Sequence, residues 1–221
     1  MSQDEEAADE LKHYSRFVLP TREVFALHDR VYIKPPSAGG HEGPFIAQIV
    51  DIFSASEPGS EIWIRVKWYY QAADTKARDL PWIGESELFV TDHFDVCPAY
   101  RVIGQVIVID GVDQFQNYQV NCVRHRLRKS LPEEELFAPV DISNVYYCRT
   151  TYDHRKGTVD TSALSLLCCD EPHNPDLLYI ECDECRFWYH AKCVGIDSNE
   201  PLPDSYTCPN CSSKSSTIMI Q

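Results

Sequence analysis

The sequence predicts a mainly β protein in two pieces, a body of short strands and a small module held together by its cysteines. Three observations carry this. Alternating apolar runs, broken by Gly, Pro and Ser, recur through the body with no sustained helical period. Seven of the ten cysteines lie between Cys168 and Cys211. A chain of 221 residues suits one large domain or two modest ones, at about 150 residues each. The apolar share of 43% is ample for a core and excludes global disorder. A net charge of −14 argues against non-specific binding to DNA or anionic membranes and favours basic partners. No long apolar window exists and the first residues are acidic, so neither a membrane helix nor a secretory signal is expected.

Along the body, the first apolar run spans Val24 to Ile33, closed by Lys34-Pro35-Pro36 and a Gly-rich loop up to Pro44. A second strand follows from Phe45 to Phe53, then a polar turn from Ser54 to Ser60. The clearest strand runs from Glu61 to Tyr70, and its even positions Ile62, Ile64, Val66, Trp68 and Tyr70 share one face. Further strands are expected at Glu87 to Val96, Gly104 to Asp110 and Asn144 to Asp153. Strands at this spacing form a β-barrel or a sandwich. The basic run Arg124 to Lys129, followed by Glu133-Glu134-Glu135, reads as a solvated loop between strands, with a localisation signal or a DNA contact as the alternative. The expected partition is an acidic N-terminal tail over 1–21, a body over 22–165, a cysteine module over 166–212 and a Ser-rich tail over 213–221.

Without a signal peptide the compartment is reducing, so clustered cysteines read as metal ligands. Cys182-x2-Cys185, His190-x2-Cys193 and Cys208-x2-Cys211 each place two ligands on one tight knuckle, at the separation a tetrahedral zinc ion needs. With the upstream pair Cys168 and Cys169 they make two interleaved sites. One site takes Cys168, Cys169, His190 and Cys193; the other takes Cys182, Cys185, Cys208 and Cys211. Adjacent cysteines reach one ion only if the backbone kinks, and His173 or Asp170 is the alternative completion. A module of about 45 residues cannot bury enough apolar surface alone, so two zinc ions supply its folding energy.

Trp68-Tyr69-Tyr70, the run Glu87 to Val96, and Tyr146-Tyr147-Cys148-Arg149 resemble the landmarks of a BAH (bromo-adjacent homology) domain. The ligand order of the second module, with Trp188 two before His190 and Tyr206 two before Cys208, resembles a PHD finger. Together they are similar to plant BAH–PHD histone readers over roughly residues 22 to 211. The stretch from about Gln114 to Val140 is longer than the family pattern. The resemblance implies a BAH-type β-barrel followed by a two-zinc, cross-braced PHD finger.

The resemblance also implies two sites. Trimethyl-lysine cannot donate a hydrogen bond, so it is recognised by the negative faces of aromatic rings. Phe45, Trp68 and Tyr70 match the BAH cage, the alternative being that all three fill the barrel. His93 and Asp95, two apart on one strand, match peptide contacts beside the methylated lysine. In the finger, Tyr179 and Trp188 match cage walls and His173 falls where many methyl-lysine readers carry tyrosine. Asp183 and Glu184 match the acids that meet a histone arginine, and Pro201-Leu202-Pro203 the loop that holds the peptide's amine.

The expected function is therefore a non-catalytic nuclear reader of histone H3 tails on nucleosomes, acting in Polycomb-type transcriptional repression. The BAH domain would take trimethylated lysine twenty-seven and the finger the N-terminus methylated at lysine four. Neither membrane attachment nor sequence-specific DNA binding is expected. The motifs of a nucleophile, a phosphate loop or an open metal site are missing, so an enzyme is not expected. The alternatives are a reader of unmodified H3, an adaptor in a repressor complex, or a zinc-dependent ubiquitin ligase.

Overall fold

The computed structural model describes residues 11–36, 43–128, 143–197 and 202–215. They form two compact units, Met1–Asp79 with Ser86–Asp160, and Leu80–Glu85 with Thr161–Gln221. The first unit holds β1 (Leu11–His13), β2 (Arg16–Val18), β3 (Val24–Ala26), β4 (Arg30–Ile33), β5 (Phe45–Ala55) and β6 (Trp63–Gln71). It continues with β7 (Glu87–Pro98), β8 (Val102–Gln105), β9 (Ile107–Asp110), β10 (Val145–Asp153) and β11 (Thr158–Asp160). A nine-stranded sheet runs β11-β10-β7-β6-β5-β4-β8, with β1 beside β5 and β9 beside β10.

Alternation explains most of it. Val31, Ile33, Ile49, Ile52, Ile64 and Val66 all point inward and are fully buried, each worth roughly 1.5–3 kcal/mol. The expected single run from Val24 to Ile33 is two strands, broken where His28 adopts φ 72 and Asp29 accepts the Ala26 N–H. The expected strand from Gly104 to Asp110 is likewise split at Val106. This split matters, because its first half pairs with β4 and its second with β10. One continuous segment thus joins both ends of the sheet and closes the barrel. Order also begins earlier than the sequence suggests: β1 pairs with β5 and β2 with β3, so Leu11 to Val18 belong to the body rather than to a tail.

The stretch after Asp110 departs from the expected loop. A helix, α1 (Val112–Arg128), occupies it, and the pairing of β10 supplies the reason. Strand β10 runs parallel to β9, and adjacent parallel strands cannot be joined by a hairpin; they need a crossover, usually helical. The apolar side of α1 packs Phe115 on Tyr147, ring centroids 4.8 Å apart, with Val112 and Tyr118 beside them. The basic run therefore begins on a helix rather than in a loop, while Lys129 and Glu133 to Glu135 lie outside the described residues. Strand β10 also runs parallel to β7. There Glu87, with no exposed side-chain surface, accepts two hydrogen bonds from Arg149, at 2.9 and 3.0 Å, and one from Tyr147 at 3.0 Å. A buried carboxylate is tolerable only when paired and bonded in this way.

The second unit carries a two-stranded hairpin, β12 (Tyr179–Glu181) and β13 (Trp188–His190), a 3-10 turn over Ala191–Val194 and a short helix, α2 (Pro209–Ser215). One of its core clusters is sulfur: Cys182, Cys208 and Cys211 are buried, with Tyr189 and Tyr206 against them. The buried Asn174 amide donates to the Pro81 and Ile83 carbonyls at 2.8 and 3.2 Å, and Asp176 accepts the Glu85 N–H. The Ser-rich C-terminal stretch is helical to Ser215, and residues 216–221 lie outside the described residues, as do 1–10 of the N-terminal tail.

Candidate functional site

The aromatic trio of the first unit converges. Pairing of Ala47 with Trp68 and Ile46 with Tyr69 lays the start of β5 beside the end of β6. Phe45 and Trp68 meet edge to face, centroids 5.7 Å apart and planes 69° apart. Beyond Val66 the strict alternation of β6 is lost, and every residue from Lys67 to Gln71 is half-buried. The cause is a bulge: Lys67 faces Phe94 but Tyr69 faces Val90, so β7 carries extra residues across this stretch. Thr91 pins the bulge by donating to the Trp68 carbonyl at 2.7 Å and accepting the His93 N–H at 3.1 Å.

The bulge delivers His93 to Tyr70, whose hydroxyl shares a 2.8 Å hydrogen bond with its Nδ1. Phe45, Trp68, Tyr70, His93 and Asp95 thus line one open cleft of about 420 Å³. The barrel-filling alternative is partly realised, since Phe45 and Trp68 also pack on the core cluster with their inner edges. Burial, then the stacked His154, push the His93 imidazole below its ordinary value, while Asp95 and Asp92 pull the other way.

One residue lining this cleft and two that stand behind its walls were not legible in the sequence. Asp74 reaches it from the 3-10 turn Ala72–Asp74 behind β6. His154 stacks on His93 with centroids 4.6 Å apart, held at 3.1 Å by Asp92. Tyr152 leans on Tyr70 at 5.6 Å. The last two come from β10 and the turn after it, far along the chain, where no local pattern points back to Tyr70.

In the second unit the cysteines gather as two groups: Cys168, Cys169, His190 and Cys193, and Cys182, Cys185, Cys208 and Cys211. Within each, the ligand atoms lie within 4.8 Å of one another. Tetrahedral zinc with Zn–S near 2.3 Å wants its sulfurs about 3.8 Å apart. The Sγ atoms of Cys185 and Cys208 are 3.9 Å apart, and Cys168 and Cys169 lie 3.5 and 3.2 Å from Nδ1 of His190. Each group can therefore hold one zinc ion. The required kink at the adjacent pair is present: Asp170 adopts φ 58, and its N–H closes a turn on the Leu167 carbonyl at 3.1 Å. His173 and Asp170 are in neither group.

The BAH domain family matches residues 23–161, and the PHD-finger family matches residues 167–211. The chain belongs to the BAH family and carries a PHD finger. It is 30% identical to the chromatin remodeling protein EBS of Arabidopsis thaliana over 195 residues, 87% of this chain and 73% of that protein. It is 28% identical to the chromatin remodeling protein SHL of the same plant over 165 residues, 74% of this chain and 63% of that protein. Its finger alone is 48% identical over 44 residues to the zebrafish (Danio rerio) lysine-specific demethylase phf2, covering 4% of that protein.

Within the PHD finger, Tyr179 pairs with His190 and Glu181 with Trp188, so these four share one face of the hairpin. The Tyr179 hydroxyl accepts the Asn174 N–H at 2.7 Å, and the His173 ring lies 4.5 Å from its ring. Trp188 is 48% exposed on the same face. Asp183 is already committed in part: its Oδ2 accepts the Tyr206 N–H and its own N–H donates to the Tyr206 carbonyl, both at 2.9 Å. Glu184 beside it is exposed. Leu202 and Pro203 are exposed too, and Pro201 lies outside the described residues.

Proposed function

We propose that the chain is a non-catalytic chromatin reader of the nucleus, with the BAH cleft taking trimethylated lysine twenty-seven of histone H3. The observation that carries this is the convergence of Phe45, Trp68 and Tyr70 on one open cleft whose other polar walls are acidic or neutral. Ring faces attract a cation that has no hydrogen to donate, at roughly 0.5–2 kcal/mol per contact. The PHD finger takes the H3 N-terminus methylated at lysine four, its tail adding as a strand beside Tyr179, with Trp188 and His173 around the methylated side chain and Asp183 and Glu184 toward an arginine. The net charge of −14 suits a basic tail, and two relatives are named chromatin remodeling proteins. The reading places the protein in Polycomb-type repression, on nucleosomes and within a repressor complex.

Calorimetric titration of the full chain with H3 peptide trimethylated at lysine twenty-seven tests the BAH assignment. Trp68→Ala should weaken binding by about tenfold or more, since a lost cage wall costs on the order of 1–2 kcal/mol. Were Trp68 mainly a barrel filler, its truncation would instead cost about 3–5 kcal/mol of stability. Unchanged binding with a large drop in melting temperature would sink the cage.

A further inference from the structure

The three aromatic walls of the BAH cleft are not held alike. Phe45 and Trp68 pack on the core cluster, to which Tyr70 does not belong. The Tyr70 ring leans instead on Tyr152, centroids 5.6 Å apart, and its hydroxyl shares a 2.8 Å hydrogen bond with Nδ1 of His93. Where this wall stands therefore depends on where the His93 ring stands.

His93 sits on the irregular part of β7, its backbone N–H bonded to Thr91 Oγ1 at 3.1 Å. The terminal torsion of a histidine is broad, so its ring turns unless packing stops it. What covers the ring is His154, stacked at 4.6 Å with the planes 20° apart. His154 is placed in turn by Asp92, whose Oδ1 lies 3.1 Å from its Nδ1. Asp92 directly precedes His93, so the three side chains clamp β7 to the turn after β10. The Asp92 side chain is 73% exposed, and an ion pair or hydrogen bond at such a screened surface adds little stability. Its effect is orientation.

Order in the free protein matters for affinity. A wall already fixed gives up no side-chain freedom when a methylammonium group arrives, whereas a loose one does. We infer that His154 is a positioning residue of the cleft: stacked on His93, it holds the His93–Tyr70 hydrogen bond and with it the third aromatic wall. His154 does not itself line the cleft. The inference rests on the reading of this cleft as a methyl-lysine site.

The test titrates the full chain with H3 peptide trimethylated at lysine twenty-seven, as wild type, His154→Ala, His154→Phe, Tyr70→Phe and the double variant His154→Ala/Tyr70→Phe. Tyr70→Phe keeps the ring face and cuts the last link of the clamp. His154→Ala and Tyr70→Phe should each weaken binding by about fivefold, and the double variant by no more than either alone. His154→Phe, which keeps a ring over His93, should bind within about twofold of wild type. Losses that multiply to about 25-fold in the double variant would show that His154 does not act through Tyr70, and would overturn the inference. So would unchanged binding by His154→Ala, a loss in His154→Phe as large as in His154→Ala, or a loss that follows a fall in melting temperature. Wild type failing to bind the peptide overturns the methyl-lysine reading itself, and that result is seen before any variant is compared.

Discussion

At the scale of single residues, His93 joins several influences at once. It shares a hydrogen bond with Tyr70, stacks on His154, and faces Asp92 and Asp95. Burial and His154 already hold its imidazole below the ordinary value of 6.5. A methylated ammonium in the cleft would oppose a second positive charge and lower it further. The complex then binds fewer protons than the free protein, so affinity is full above the free protein's His93 pKa and is lost as pH falls through it. The window opens below the ordinary value of 6.5. Affinity for a lysine-twenty-seven-trimethylated peptide should therefore be full at about pH 7 and drop as pH falls below the ordinary histidine value, and His93→Gln should flatten that profile. A flat wild-type profile would remove His93 from the site.

At the scale of elements, the two cysteine groups differ in a way their spacing alone does not reveal. Cys182, Cys208 and Cys211 are buried, whereas Cys169 and Cys193 are exposed and the adjacent pair depends on a left-handed Asp170. Metal analysis should return two zinc ions per chain. On chelation the ion held by Cys168, Cys169, His190 and Cys193 should leave first, and loss of both should unfold the finger while the barrel's circular dichroism persists. Native mass spectrometry reads the order directly, and a single ion in the untreated protein would mean that the adjacent pair builds no site. The strands were legible because alternation reports burial wherever a sheet has one wet face, as from Trp63 to Val66. It failed where the face turns, at the bulge beside Trp68. Helix α1 stayed hidden because Val112, Phe115 and Tyr118 are spread among glutamine and asparagine, and its cause, the parallel pairing of β10, lies in another segment. The aromatic trio Phe45, Trp68 and Tyr70 stood out as a candidate cage only because its positions resemble a known family; Asp74 and His154 arrive through turns and pairings that no local pattern encodes.

At the scale of the whole barrel, chain order and spatial order disagree, and this bears on how the protein folds. The walls of the cleft come from β5, β6 and β7, which are successive along the chain and pair antiparallel in turn. Closure, by contrast, needs β10 to find β9 and β7 in parallel across the helical crossover. Nearby pairings repay the entropy of loop closure sooner than distant ones. The transition state for folding should therefore contain the β5–β7 meander and lack the β9–β10 seam. Val66→Ala would then slow refolding, whereas Val108→Ala would mainly speed unfolding; stopped-flow chevrons showing the reverse would put closure first. On this order the cleft is among the earliest surfaces the chain acquires, in place before the barrel around it is shut.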